Sequence, residues 1–112
     1  MKRIAIPVFE DRISNRLDCS ENLLLVSLEK GEIIKREIVL LTHTDSSAKL
    51  NTLIGLKIDV LICNGITTFY SRRLSDTNIE IIPWVSGKID EVLAWYLESE
   101  SIPKNSYDGN IT

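Results

Sequence analysis

Three side chains in this sequence of 112 residues have chemistry suited to a transition metal: Cys19, Cys63 and His43. A thiolate is a soft ligand that suits metal-sulfur species, and a neutral imidazole ligates several first-row metals. Their spacing rules out the compact metal motifs. The two cysteines lie far apart and form no CxxC pair, so neither a zinc finger nor a thioredoxin-type redox pair is encoded. No serine–histidine–aspartate spacing or glycine-rich phosphate loop stands out. Each candidate also has a plainer reading. Cys63 can be a small hydrophobe that ends a buried strand, Cys19 a loop thiol without a role, and His43 a solvated residue in a polar turn. The choice between these readings depends on where the elements of the chain place them.

Alternation of Ile4, Ile6 and Val8 with Arg3, Ala5 and Pro7 predicts a first strand over 3–9, with Pro7 near its end or at a bulge. Residues 10–21 are polar and read as a long loop that carries Arg16, Asp18 and Cys19. The apolar run Asn22 to Leu28 and the segment Ile33 to Leu41 flank a turn containing Gly31, which predicts a hairpin. His43 follows it. Asp45 is a fitting N-cap for a helix over 46–56, whose Leu50, Leu53 and Ile54 recur at helical spacing. Ile58 to Cys63 is β-branched without alternation, the pattern of a strand buried on both faces. The turn Asn64-Gly65 leads into a helix near 67–76, and Ile79 to Val85 reads as the fifth strand. Ser86 reads as the cap of a third helix with the stripe Ile89, Val92, Leu93, Tyr96 and Leu97. Trp84 and Trp95 read as core and helix-packing aromatics. Residues 1–99 form one domain on this reading, and the segment 100–112, with Pro103 and Gly109 and no periodicity, reads as a flexible tail.

The order β-β-β-α-β-α-β-α implies a three-layer α/β/α fold around a five-stranded mixed sheet. The simplest path is 3-2-1-4-5 with the second strand antiparallel, which is the ribonuclease H-like layout. The carboxyl ends of four strands then share one edge, and the path changes direction between the first and fourth strands, which opens a crevice. Cys19, Cys63 and His43 all fall on that edge. So do three helix starts, with Gly65 before one and Ser86-Gly87 before another, and their free N–H groups favour an anionic ligand. Nuclease chemistry is excluded by the same map. It needs carboxylates on the first strand and near the end of the fourth, whereas the first strand interior has none and Asp59 begins the fourth.

Composition narrows the partners. Thirteen basic against 16 acidic residues leave a net charge of −3, and no basic cluster is longer than a pair such as Arg72-Arg73. Nucleic-acid binding by phosphate neutralisation is excluded on that balance. Aliphatic runs stay as short as Leu23 to Val26, far below the roughly 20 residues of a membrane helix. No signal-peptide core follows Met1-Lys2-Arg3, so the reading is cytoplasmic, where a structural disulfide would be unusual.

Four stretches carry a family resemblance: IAIPVFEDRIS, LLLVSL, DVLICNGIT and IEIIPWVSGKIDEVLAWYL. Over roughly residues 3–98 the chain resembles the dinitrogenase iron-molybdenum cofactor biosynthesis family. The resemblance implies a ribonuclease H-like fold without nuclease activity. It also implies a non-enzymatic protein that binds or carries an iron-sulfur or iron-molybdenum type cofactor or precursor. Many relatives have a ligand histidine in the first loop, and Arg16 stands at that place here. Asp18 fits a variant of the same motif. Cys63 matches a cysteine of some relatives, and Ser86 stands where part of that subset has another. The expected cofactor-binding set is therefore Cys63, Cys19, Asn64, Gly65, Arg16, Asp18 and Ser86, with Cys63, Cys19 and His43 as metal ligands. The alternative is an interaction or regulatory module that has kept the fold and lost the cluster.

Overall fold

The two strands richest in apolar residues lie at the centre of a mixed sheet. The computed structural model describes residues 1–41 and 45–100. In chain order they form β1 (Lys2–Phe9), β2 (Arg12–Ile13), β3 (Asn22–Glu29), β4 (Glu32–Leu40), α1 (Ser46–Gly55), β5 (Val60–Ile62), α2 (Thr68–Ser75), β6 (Glu80–Ile82) and α3 (Ile89–Glu100). The sheet path is β4-β3-β1-β5-β6, with the short β2 paired to β1 off that path. β3 is antiparallel to both β1 and β4, while β1, β5 and β6 are mutually parallel. β1, β4, β5 and β6 therefore point the same way, and their carboxyl ends share one edge.

Successive side chains of a strand point to opposite faces, and the sheet separates two cores. On one face Ile4, Ile6, Val8, Leu24, Val26, Val60 and Ile62 pack against Ile89, Val92, Leu93 and Tyr96 of α3. On the other, Ala5, Leu23, Leu25, Leu61 and Cys63 pack against Leu50 and Leu53 of α1 and Tyr70 and Leu74 of α2. The helix starts follow from their caps. Asp45 accepts from the Ala48 N–H at 3.1 Å, and the Thr67 hydroxyl accepts from the Tyr70 N–H at 3.4 Å. Among the described residues no helix is long and apolar enough to cross a membrane.

Several expectations are corrected. The stretch 10–21 is not all loop. β2 turns back on the end of β1, pairing Ile13 with Val8 and Arg12 with Phe9 through a turn in which Glu10 takes φ 55°. Ser86 does not cap α3. The chain first pairs Lys88 with Arg12, and the Ile89 N–H donates to the Asp11 carbonyl at 2.8 Å, so the turn between β1 and β2 supplies a partner that a cap would otherwise provide. β6 stops at Ile82 because Pro83 has no N–H, and Trp84 takes φ 65°. That turn carries Trp84 out of the core to 69% exposure, and Trp95 is 40% exposed, so among the described residues Tyr70 and Tyr96 are the buried aromatics instead. α3 continues through Glu100, one residue into the segment expected as tail. The remainder of that segment and His43 lie outside the described residues.

Candidate functional site

At the carboxyl end of β1 the chain folds back over the sheet, and three anchors fix its course. The first is the end of β5. The Gly65 N–H donates to the Asn15 carbonyl at 2.8 Å and the Leu17 N–H donates to the Gly65 carbonyl at 2.9 Å, a short parallel bridge that brings residues 15–17 against 65. Gly65 is required by proximity. A Cβ there would lie 2.8 Å from the Asn15 carbonyl oxygen and 3.2 Å from Arg16 Cγ. The second anchor is Leu17, buried on the α1 and α2 side of the sheet. The third is Lys49 on α1, itself buried, whose Nζ donates to the carbonyls of Asp18 at 2.8 Å and Ser20 at 3.0 Å.

These anchors leave Arg16, Asp18 and Cys19 facing outward. The Arg16 guanidinium donates twice to the Asp18 carboxylate, Nε to Oδ1 at 3.1 Å and Nη2 to Oδ2 at 2.8 Å, a planar two-point pair. The Cys19 thiol is exposed, with Sγ 3.9 Å from Asp18 Oδ2. Cys19, Arg16, Asn15, Ser14 and Arg12 line one cavity of about 290 Å³, with Phe9 and Ile13 as its apolar wall. Beneath the loop lies the Tyr70 hydroxyl, buried without a hydrogen bond of good geometry. Burial raises its pKa, the negative charge of Asp18, Asp45 and Cys19 adds to the rise, and the nearby Ser46 side chain opposes it.

The expected site residues therefore separate. Arg16 and Cys19 come together on the cavity wall, with Asp18 held by Arg16, and Gly65 supports them from behind. Asn64 is half-buried, and its carbonyl accepts from the Trp84 N–H at 3.0 Å. Ser86 is exposed and does not line the cavity. Cys63 is not on the cavity wall with Cys19. Its side chain shares the face of Ala5 and Leu61 and is fully buried among Leu17, Leu61 and Tyr70. Lys49, Phe9 and Arg12 were not anticipated. Lys49 had a signal, since it sits four residues before Leu53 on the apolar stripe of α1, where a lysine must find acceptors.

Burial pushes the Cys63 thiol up from 9.0 to about 11. The folded protein keeps this proton while the unfolded chain has begun to lose it, so unfolding releases a proton in that range. Stability should be flat below pH 9 and fall between pH 9 and 11 by about 2–3 kcal/mol from this group. Urea midpoints measured at intervals from pH 8 to 11 check this. Cys63→Ala, less stable at neutral pH, should show a shallower decline; parallel curves would remove Cys63 as the cause.

Among the described residues no three His, Cys, Asp or Glu side chains are grouped to hold a metal ion. The sequence matches the family model described as dinitrogenase iron-molybdenum cofactor over residues 1–99. The chain belongs to the dinitrogenase iron-molybdenum cofactor family. The match takes in every element described above except the last residue of α3, so the cavity lies wholly inside the family domain. Solved structures share the fold at low identity. The crystal structure of PH0822 is 19% identical, covers 87% of this chain and 89% of its own, and superposes with a TM-score of 0.81. A Methanocaldococcus jannaschii protein, provisionally assigned as a dinitrogenase, is 22% identical over 88% of this chain and 89% of its own, with a TM-score of 0.73. The apo form of the orange protein from Desulfovibrio gigas is 16% identical over 88% and 89%, with a TM-score of 0.72. No curated protein matches the chain significantly.

Proposed function

We propose that this family member is a small, non-enzymatic carrier of an anionic metal-sulfur cofactor or precursor, of iron-sulfur or iron-molybdenum type. The observation that carries the reading is the single cavity that gathers the exposed Cys19 thiol with the Arg12 and Arg16 side chains. The donor set limits the cargo. One accessible thiol does not satisfy a bare metal ion, which needs several protein ligands. It does fit a cluster that brings its own sulfide, held by one thiolate, two guanidiniums and the polar Ser14 and Asn15. Cys63 then supports the sheet beneath the site and does not ligate. The same reading takes the sheet as ribonuclease H-like, supported by its path and the antiparallel β3, and places the carrier in a reducing cytoplasm, where Cys19 stays a thiol.

Anaerobic loading with iron and sulfide, or with tetrathiomolybdate, tests the proposal by bound metal and visible absorption. Wild type should load, and Cys19→Ser should bind at least about tenfold more weakly, about 1.4 kcal/mol. Equal loading of the two would remove Cys19 from the site. A second reading, an interaction module that keeps the fold without a cluster, is favoured by the Arg16 guanidinium being already engaged at two points by the Asp18 carboxylate. Failure of the wild type to load would select it.

A further inference from the structure

The two edges of the sheet are finished differently. β6 is three residues long and is followed by Pro83, a common way of blunting an edge. β4 is nine residues long, contains no proline, and among the described residues pairs only with β3. It also carries exposed apolar side chains: Ile34, Ile38 and Leu40 are 52%, 55% and 64% exposed. α3 does not reach across to cover them. Leu24 and Ile38 instead line an open cavity of about 250 Å³ beside Ile89 at the start of α3.

Charged residues ordinarily protect such an edge, but here their order is self-complementary. The segment Ile34-Lys35-Arg36-Glu37-Ile38 keeps its pattern when it is laid antiparallel on itself about Arg36. In that register Lys35 lies opposite Glu37 of the partner subunit, and Ile34 lies opposite Ile38 of the partner subunit. Directly opposed residues of an antiparallel pair share a face, so opposite charges there attract and apolar pairs bury each other. Within one chain Lys35 and Glu37 already sit 3.4 Å apart, and two copies would close these into a ring of four alternating charges. Arg36 would face its own copy, and that repulsion is relieved because Arg36 pairs with Asp90 at 3.5 Å. The bulge in the β3–β4 ladder falls at Ile34, so Lys35 to Leu40 keep an unbroken register; the pivot at Arg36 and the Lys35–Glu37 pairs lie in regular strand, and the Ile34–Ile38 pairs sit at the bulge.

We propose that the β4 edge is a homodimer interface, with two copies joined antiparallel about a two-fold axis at Arg36 into one continuous sheet. The inference is independent of the cargo. The contact is isologous, so it closes on itself and leaves no β4 edge open for further growth.

Sedimentation equilibrium and light scattering test it, with circular dichroism to show that each variant is folded. Wild type should shift with concentration from the 12.7 kDa monomer to a dimer. Lys35→Glu sets like charges opposite one another, as does Glu37→Lys, and each alone should dimerise at least tenfold more weakly. Mixed in equal amounts, the two variants are complementary and should form a one-to-one heterodimer. The double variant K35E/E37K should recover the homodimer. An ion pair acting only within the chain cannot produce association on mixing. The proposal is overturned if wild type stays monomeric at about millimolar concentration, if either single variant dimerises like wild type, or if the mixture remains monomeric. A monomer whose β4 amides exchange slowly would show the edge to be covered within one chain and would likewise overturn it.

Discussion

Gly65→Ala should unhook the first loop from the end of β5 and remove the cavity as a defined site. A methyl group at this position meets the Asn15 carbonyl oxygen at 2.8 Å, closer than carbon and oxygen approach in practice. Main chain is what blocks it, and moving Asn15 away breaks the bond that Gly65 makes to it. Overpacking of this kind costs about 1–3 kcal/mol, and each kcal/mol lowers the melting temperature of a domain this size by roughly 4–8 °C. The expected result is a fall of about 10 °C, with amide shifts displaced at residues 15–19. Gly55→Ala is the control. Nothing lies within 4 Å of its added methyl, and it ends a helix, so the change should be neutral or slightly stabilising. Equal melting of Gly65→Ala and wild type would show that the bridge does not hold the loop.

Lys49→Met should be nearly as damaging by a different route. The methionine stem fills much of the volume of the lysine stem, so packing on α1 is largely kept. What is lost is the ammonium, and with it both partners of the Asp18 and Ser20 carbonyls. Each carbonyl left unpaired costs about 1–3 kcal/mol, against which stands the relief of burying no charge. A net loss of about 2–4 kcal/mol is expected in urea unfolding, with faster hydrogen exchange concentrated in residues 17–22. Stability within 0.5 kcal/mol of wild type would mean that the loop finds other partners, and Lys49 would no longer count as its latch.

The central part of this fold was legible because its signals are redundant. β1 and β3 are apolar on both faces, α1 shows its cap and its spacing together, and the hairpin turn carries Gly31 at φ 80°. β2 was not legible. Two residues, Arg12 and Ile13, cannot show an alternation, and what places them lies outside the pair: the burial of Ile13 against Val8, the Ile13 N–H bond to the Gly87 carbonyl and the pairing of Arg12 with Lys88. The start of α3 is not legible either: Ser86-Gly87 looks like a cap, while the N–H that needs a partner finds it on Asp11, far away in sequence. Trp84 reads as core by type, and its φ of 65° after Pro83 turns it outward. At the site, Cys19 as an accessible loop thiol and Cys63 as a buried strand end both follow from the polarity of their neighbours. Their separation does not, because it depends on which face of β5 carries Cys63.

The anchoring of the first loop also bears on how such a site changes over generations. Its course is fixed by main-chain bonds at Asn15, Leu17, Asp18 and Ser20 and by the buried side chains of Leu17 and Ser20. The side chains of Arg16 and Cys19 take no part in that anchoring. Substitutions at these outward positions can alter what the cavity attracts while the backbone beneath them stays in place. One scaffold can thereby change what its cavity attracts without crossing an unfolded intermediate.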